Sequence, residues 1–275
     1  MASRHGRITA CAETVCGVPS RGTQEGVARK LWGYIHDHLC VADERFGLRL
    51  GAGLVGTFVA AVTFALLLLL VRAGWMPLRS LDTGTAQVFR RIDGSNPELV
   101  KTAEVLSRVF DPNVFRVLLT LIAVAYLVRG ERRHAAWLIT TVWGGAALGL
   151  ALKAAVGRSR PVLPDPVSSA PGLSFPSGHA LGASIGCCVL LLLTLRFLSR
   201  RGRIAAVVVA GVIVCGVGLA RVVLGVHFVS DVLAGIMLGM AWVAVTTWAY
   251  VAWRRETGQP VERPAEVGSA EKPAT

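Results

Sequence analysis

The sequence predicts an all-α, polytopic membrane bundle of six transmembrane helices, and three observations carry that expectation. Apolar residues (Ala, Val, Ile, Leu, Met, Phe, Trp, Tyr and Cys) fill 53% of the 275 positions, and mean hydropathy is +0.56. That is too apolar for a water-soluble domain with one ordinary core. Long apolar runs recur along the chain, each near the ~20 residues that a helix needs to cross a bilayer. Arginines crowd into alternate short connections, the pattern that cytoplasmic loops impose.

In chain order, residues 1–48 form an N-terminal segment without the compact order of a cleavable signal peptide. Val27, Leu31, Ile35 and Leu39 recur there at helical spacing, which suits an amphipathic helix on the inner membrane surface. The six-span domain is expected over 49–253. Five of its spans are uncharged runs at 50–71, 135–152, 180–195, 204–220 and 232–253, and the sixth, 113–128, carries Arg116 in its first turn. A long cationic side chain near a helix end snorkels to the headgroups, so Arg116 does not disqualify that span.

The connection 74–112 balances five Lys/Arg against five Asp/Glu and is expected outside. Within it, Asn96-Pro97-Glu98 reads as a helix start, with Asn96 as cap and proline at the first helical position. Connections 129–134 and 196–203 are arginine-rich, and the tail opens with Arg254-Arg255, so these belong inside together with both termini. Residues 254–275 are rich in Pro, Glu and Ala and are expected to be a disordered cytoplasmic tail.

This parity brings three polar stretches to one external face: 153–161, 176–179 and 221–231. The net charge of +12 lies largely in the inner loops and span flanks. Orientation and anionic headgroups account for it, and no single-face basic module points to nucleic acid. Cys11, Cys16, Cys40, Cys187, Cys188 and Cys215 form no CxxC pair, so they read as free thiols.

The polar stretches hold three cations, two imidazoles and one carboxylate of interest. Lys153 ends a span and Arg160 follows seven positions later, about two turns on if the helix continues to Pro161. Ser177 and Gly178 precede the 180–195 run, placing them at a helix N-terminus. Free backbone N–H groups and the positive dipole end favour an anion there, and Ser177 is equally suited as an N-cap. His227 and Asp231 are four apart, on one face of a helix at the start of the last span. A carboxylate on one ring nitrogen leaves the other free as a nucleophile. His179 and Arg221 complete the set. Its residues suit an oxyanion better than a metal, because three cations oppose a divalent ion at His179, His227 and Asp231 and no spacing resembles a zinc signature.

Lys153 with Arg160-Pro161, Pro176-Ser177-Gly178-His179, and Arg221 with His227 and Asp231 resemble, in order and spacing, the three-part signature of the type 2 phosphatidic acid phosphatase superfamily. That superfamily also holds the vanadium-dependent haloperoxidases. The third part often opens with Ser-Arg, and here it is Ala220-Arg221. The resemblance implies a membrane lipid phosphatase with no cofactor; the preference for Arg over Lys suits a GC-rich bacterial genome, hence a bacterial plasma membrane, and the loop charges face the site outside. His227 would form a phosphohistidine, Asp231 would orient it, and His179 would protonate the leaving oxygen and then activate water. Lys153, Arg160, Ser177, Gly178 and Arg221 would hold the phosphate. Polyprenyl diphosphate, phosphatidic acid and phosphatidylglycerol phosphate are the expected substrate types, with membrane lipids as the surroundings. A lipid phosphotransferase, a haloperoxidase-like protein and a non-catalytic lipid transporter are the competing expectations.

Overall fold

The structure, a computed structural model, describes residues 44–93, 96–162 and 171–256. The amphipathic segment around Leu31 and the tail beyond Glu256 lie outside the described residues. The chain divides into two units at Ala52 and Gly53, and the second holds the site. Among the described residues the elements are helical: α1 (Glu44–Arg72), α2 (Met76–Asp93), α3 (Pro97–Val109), α4 (Pro112–Val128), α5 (Arg132–Val156), α6 (Gly178–Thr194), α7 (Arg200–Val223) and α8 (Val229–Glu256). A short 3-10 turn, Leu195–Phe197, extends α6.

Among the described residues six stretches are long and apolar enough to cross a membrane, in the six places expected. The second of them, Pro97–Val128, is two helices. The break falls at Phe110-Asp111, where Asp111 Oδ1 accepts the Asn113 N–H at 2.8 Å and Pro112 occupies the first turn. A capping carboxylate plus a proline that needs no N–H donor starts α4 afresh. The last span runs on through Arg254-Arg255 to Glu256, so the helix outlasts the apolar composition.

Three local expectations are corrected. Asn96 stands at the start of α3 but makes no cap bond; its Nδ2 donates back to the Ile92 carbonyl at 2.9 Å. Helix α5 stops at Val156, because Gly157 takes a left-handed conformation (φ 65°) and its N–H closes on the Lys153 carbonyl. Arg160 is therefore reached through a non-helical segment, and not two turns along the same helix. His227 precedes α8, which begins at Val229. It follows a turn at Gly225 (φ 66°) and meets Asp231 across the start of α8, not along one helix face.

Helix α6 is the centre of the bundle and packs on α4, α5, α7 and α8, most extensively on α8. Leu119, Leu138, Leu181, Ile185 and Val189 form the main core where α4, α5 and α6 meet. Lipid is as apolar as leucine, so burial alone gives little drive, and close packing plus polar bonds must hold such helices. Thr141 Oγ1 meets Thr246 Oγ1 at 3.0 Å and Trp242 Nε1 donates to the Thr141 carbonyl at 2.8 Å, which joins α5 to α8.

Glycine sets the α6–α8 distance. A Cβ built on Gly235 would stand 2.6 Å from the Ser177 carbonyl oxygen, and one on Gly239 would stand 2.8 Å from Ser184 Cβ. The pair Gly235 and Gly239 is thus a small-residue stripe at four-residue spacing that lets α8 touch the α6 backbone. The Ser177 N–H donates to the Asp231 carbonyl at 2.9 Å across the same contact.

Gly235→Ala should lower thermal stability in detergent, since the atom it meets is backbone and cannot turn away. Gly211→Ala is the matched control: nothing lies within 4 Å of that Cβ, and a helical Gly→Ala change favours the helix by roughly 0.5–1 kcal/mol. Differential scanning fluorimetry of both variants checks the pair, with opposite signs expected.

Candidate active site

The three polar stretches meet at one end of the bundle. Helix α5 delivers Lys153, the segment after it Arg158 and Arg160, the N-terminus of α6 Ser177, Gly178 and His179, the last turn of α7 Arg221, and the turn into α8 His227 and Asp231. All eight sequence-predicted residues are brought to the same end. His179 feels Arg221, His227 and Arg160, while Lys153 feels Arg160 and Asp231, so the charges act as one field.

Arg160 is held by backbone oxygens. Its Nη1 donates to the Val226 carbonyl at 2.7 Å and its Nε to the Gly172 carbonyl at 3.1 Å. The same Nη1 stands 3.3 Å from His227 Nε2. Guanidinium nitrogens only donate, so Nε2 is the acceptor and the ring proton belongs on Nδ1, facing Asp231. Burial pushes the His227 imidazole down to about 4, against the pull of Asp231 toward the charged form. The ring is therefore neutral at ordinary pH, with its Nε2 lone pair turned toward the cations.

His227 Nδ1 and Asp231 Oδ2 are 3.6 Å apart, too far for a hydrogen bond, and Nδ1 has no other partner. The carboxylate is occupied elsewhere. Oδ2 accepts from Ser174 Oγ and from the Phe228 N–H at 2.9 Å, and Oδ1 accepts from Arg158 Nη1 at 2.7 Å. At this end of the bundle Ser177 Oγ and Arg221 Nε are also buried with no hydrogen-bond partner among the described residues. Ser177 stands at the cap position of α6 without making the cap bond, so its hydroxyl and the first N–H groups of the helix remain available to an anion. Unpaired buried donors are costly, and a tetrahedral oxyanion would satisfy them together.

Several participants were not singled out by sequence. Arg158 lies between Lys153 and Arg160 and bridges two buried carboxylates: Nη1 reaches Asp231 and Ser230 Oγ, both at 2.7 Å, and Nη2 reaches Asp82 Oδ2 at 2.7 Å. Its guanidinium also lies 4.3 Å above the Phe228 ring. Asp82 comes from α2, outside the three motifs, and also accepts the Ser230 N–H at 3.0 Å and the Ser230 hydroxyl at 2.6 Å. Asp111 Oδ2 stands 3.2 Å from His179 Nε2. The available signal was an acidic residue amid the apolar positions of an outer helix for Asp82, and an Asp-Pro helix start for Asp111.

Fold and site together define an integral membrane helical protein with a basic cluster and two imidazoles at one end of its spans. Comparison with known proteins identifies the family. The PAP2 superfamily profile matches residues 134–255. Decaprenylphosphoryl-5-phosphoribose phosphatase of Mycobacterium tuberculosis is 30% identical over 148 residues, covering 52% of this chain and 76% of that protein. The chain belongs to the PAP2 superfamily. Phosphatidylglycerophosphatase B of Bacillus subtilis is 42% identical over 96 residues, 34% of this chain; the match spans 46% of that relative, less than half its length. The crystal structure of a transmembrane PAP2 type phosphatidylglycerolphosphate phosphatase from Bacillus subtilis superposes with a TM-score of 0.61 at 26% identity, covering 70% of this chain and 97% of that one.

Asp82→Asn keeps the shape but leaves Arg158 with a single carboxylate, and Asp231 shifts with it. If the bridge positions Asp231, turnover falls about 10-fold to 100-fold while KM changes little, as expected for a sub-ångström misplacement of a reacting group. Steady-state kinetics on refolding-competent, monodisperse protein checks this; a loss of stability with kcat intact would make the bridge purely structural.

Proposed function

We propose that this protein hydrolyses the phosphomonoester or diphosphate headgroup of a membrane lipid through a phosphohistidine. The reading rests chiefly on His227: a buried neutral imidazole with its Nε2 lone pair toward Arg160 and its Nδ1 side toward Asp231. Nε2 attacks phosphorus as the P–O bond to the lipid breaks, and His179 delivers its proton to the leaving oxygen. Asp111 Oδ2 stands 3.2 Å from His179 Nε2 and orients the ring. His179 then takes a proton from water as water attacks phosphorus, the P–N bond breaks, and inorganic phosphate leaves.

Phosphoryl transfer relies mainly on positioning and on charge facing the nonbridging oxygens. Lys153, Arg160 and Arg221, with Ser177 Oγ and the Gly178 N–H, supply that charge in this reading. Lys153 Nζ donates to the Leu173 carbonyl at 2.7 Å, which keeps the ammonium at the site end of α5. A substrate with a long acyl or prenyl tail suits a site at the end of membrane spans, since the tail stays in hydrocarbon while the headgroup reaches the cations.

The family and the named relatives support a lipid phosphate as substrate. The two relatives, phosphatidylglycerophosphatase B and decaprenylphosphoryl-5-phosphoribose phosphatase, are named for lipids that carry a second phosphoryl group besides the one removed. The orientation that fits is site outward. The arginine-rich stretches 129–134 and 196–203 stand at the opposite ends of the helices from His227, and cationic loops stay on the cytoplasmic side. Both termini are then cytoplasmic.

His227→Ala should abolish phosphate release, by about 10³-fold or more, with membrane insertion and elution behaviour unchanged. A colorimetric phosphate assay on purified protein with detergent-solubilised phosphatidylglycerol phosphate tests it, and retention of most activity would overturn the nucleophile. The pH dependence has a definite sign. An ordinary histidine protonates near about 6.5, whereas His227 stays neutral down to about 4. After the substrate's own ionisation is divided out, kcat/KM should show its nucleophile limb near pH 4 and none near 6.5.

A further inference from the structure

Arg116 stands where an unneutralised cation is costly. It lies in the second turn of α4, within an apolar span, and is half-buried. Its only hydrogen bond among the described residues goes to a neutral acceptor: Nη1 donates to Asn113 Oδ1 at 2.6 Å. The nearest acid along the helix, Asp111, is engaged by the Asn113 N–H and by His179. An arginine that only anchored the span would turn to the headgroups. This one lines a narrow cleft of about 70 Å³ between α4, α5 and α6, together with Lys153 and Gly178 from the phosphate site. Beyond Arg116 the cleft is apolar, passing Leu119, Val142 and Ile185.

The order of groups along α4 matters, although Asp111 itself does not line the cleft. Asp111 reaches His179, the proposed donor to the leaving oxygen, at 3.2 Å. Arg116 follows Asp111 by five residues, about 7.5 Å farther along the helix axis and away from the site end. A ligand running from Lys153 and Gly178 into the cleft therefore meets one more positive charge at Arg116, and then only apolar surface.

We propose that Arg116 is a specificity residue that binds a second phosphoryl group of the substrate, on the leaving-group side of the scissile bond. The inference rests on the lipid phosphatase reading above. The preferred substrate is then a lipid whose departing alcohol itself bears a phosphate or phosphodiester, with the hydrocarbon tail following it along the cleft. A charge-assisted bidentate contact from guanidinium to phosphate is worth more than an ordinary hydrogen bond. The contact is made equally before and during the reaction, so it acts on KM more than on kcat.

The test compares two lipids of matched acyl chains in the same detergent: phosphatidylglycerol phosphate, which carries two phosphoryl groups, and phosphatidic acid, which carries one. The readout is the ratio of kcat/KM for the first over the second, in which the fraction of folded enzyme cancels. Arg116→Gln should lower this ratio about 10-fold to 100-fold, mostly through KM for phosphatidylglycerol phosphate. Arg116→Lys, which keeps the cation, should retain part of the preference. An unchanged ratio in Arg116→Gln, with both lipids affected equally or neither affected, would overturn the subsite while leaving the hydrolase reading intact. A wild-type protein that releases phosphate from neither lipid would overturn the hydrolase reading and this inference with it.

Discussion

The geometry of the site depends on one partly buried arginine. Arg158 joins Asp82 of α2 to Asp231 of α8 and reaches Ser230 with the same guanidinium. Each charge is buried or nearly so, and removing one partner of such a pair strands the others at roughly 3–5 kcal/mol. The bridge therefore fixes where an outer helix, the segment after α5 and the start of α8 lie relative to one another. Asp231 is held on both carboxylate oxygens by this arrangement and by Ser174 and Phe228. The ring of His227 faces a carboxylate that cannot swing away.

A bilayer gives this polar assembly a particular form. Charges are expensive within hydrocarbon, so they gather where the spans end, and the apolar helices act as the frame that brings them together. Helix α6 does most of this work, because its N-terminus must touch α8 closely enough for the Ser177 N–H to bond the Asp231 carbonyl. Two glycines on α8 permit that approach. Packing deep in the membrane and alignment of the oxyanion donors are thus the same constraint read at two depths.

The electrostatics divide into two layers with opposite tasks. Behind His227 lies a closed layer, Asp82, Arg158, Ser230 and Asp231, in which nearly every polar atom has a partner. In front lies an open layer, Ser177 Oγ and Arg221 Nε, whose atoms have none. A satisfied network is rigid, and unsatisfied donors in a rigid frame form a preorganised receptor for negative charge. Arg160 belongs to both, since it is anchored on backbone carbonyls yet rests against His227 Nε2.

The sequence by itself determined the spans, their parity and the end at which the polar stretches meet, because hydropathy and loop charge are local properties read over a few turns. It also singled out Lys153, Arg160, Ser177, Gly178, His179, Arg221, His227 and Asp231, since their spacing follows from the ends of those spans. Extrapolating helical spacing misplaced Arg160 and His227: a left-handed glycine ends α5 before the first, and α8 starts after the second. Only the tertiary structure decided that Asp82, 148 residues before Ser230, closes the network behind the imidazole, that Arg158 rather than either flanking cation carries it, and that Asp111 meets His179. Charge pairing across such separations leaves no periodic trace in the chain. It is fixed by which helices the glycine and threonine contacts bring side by side.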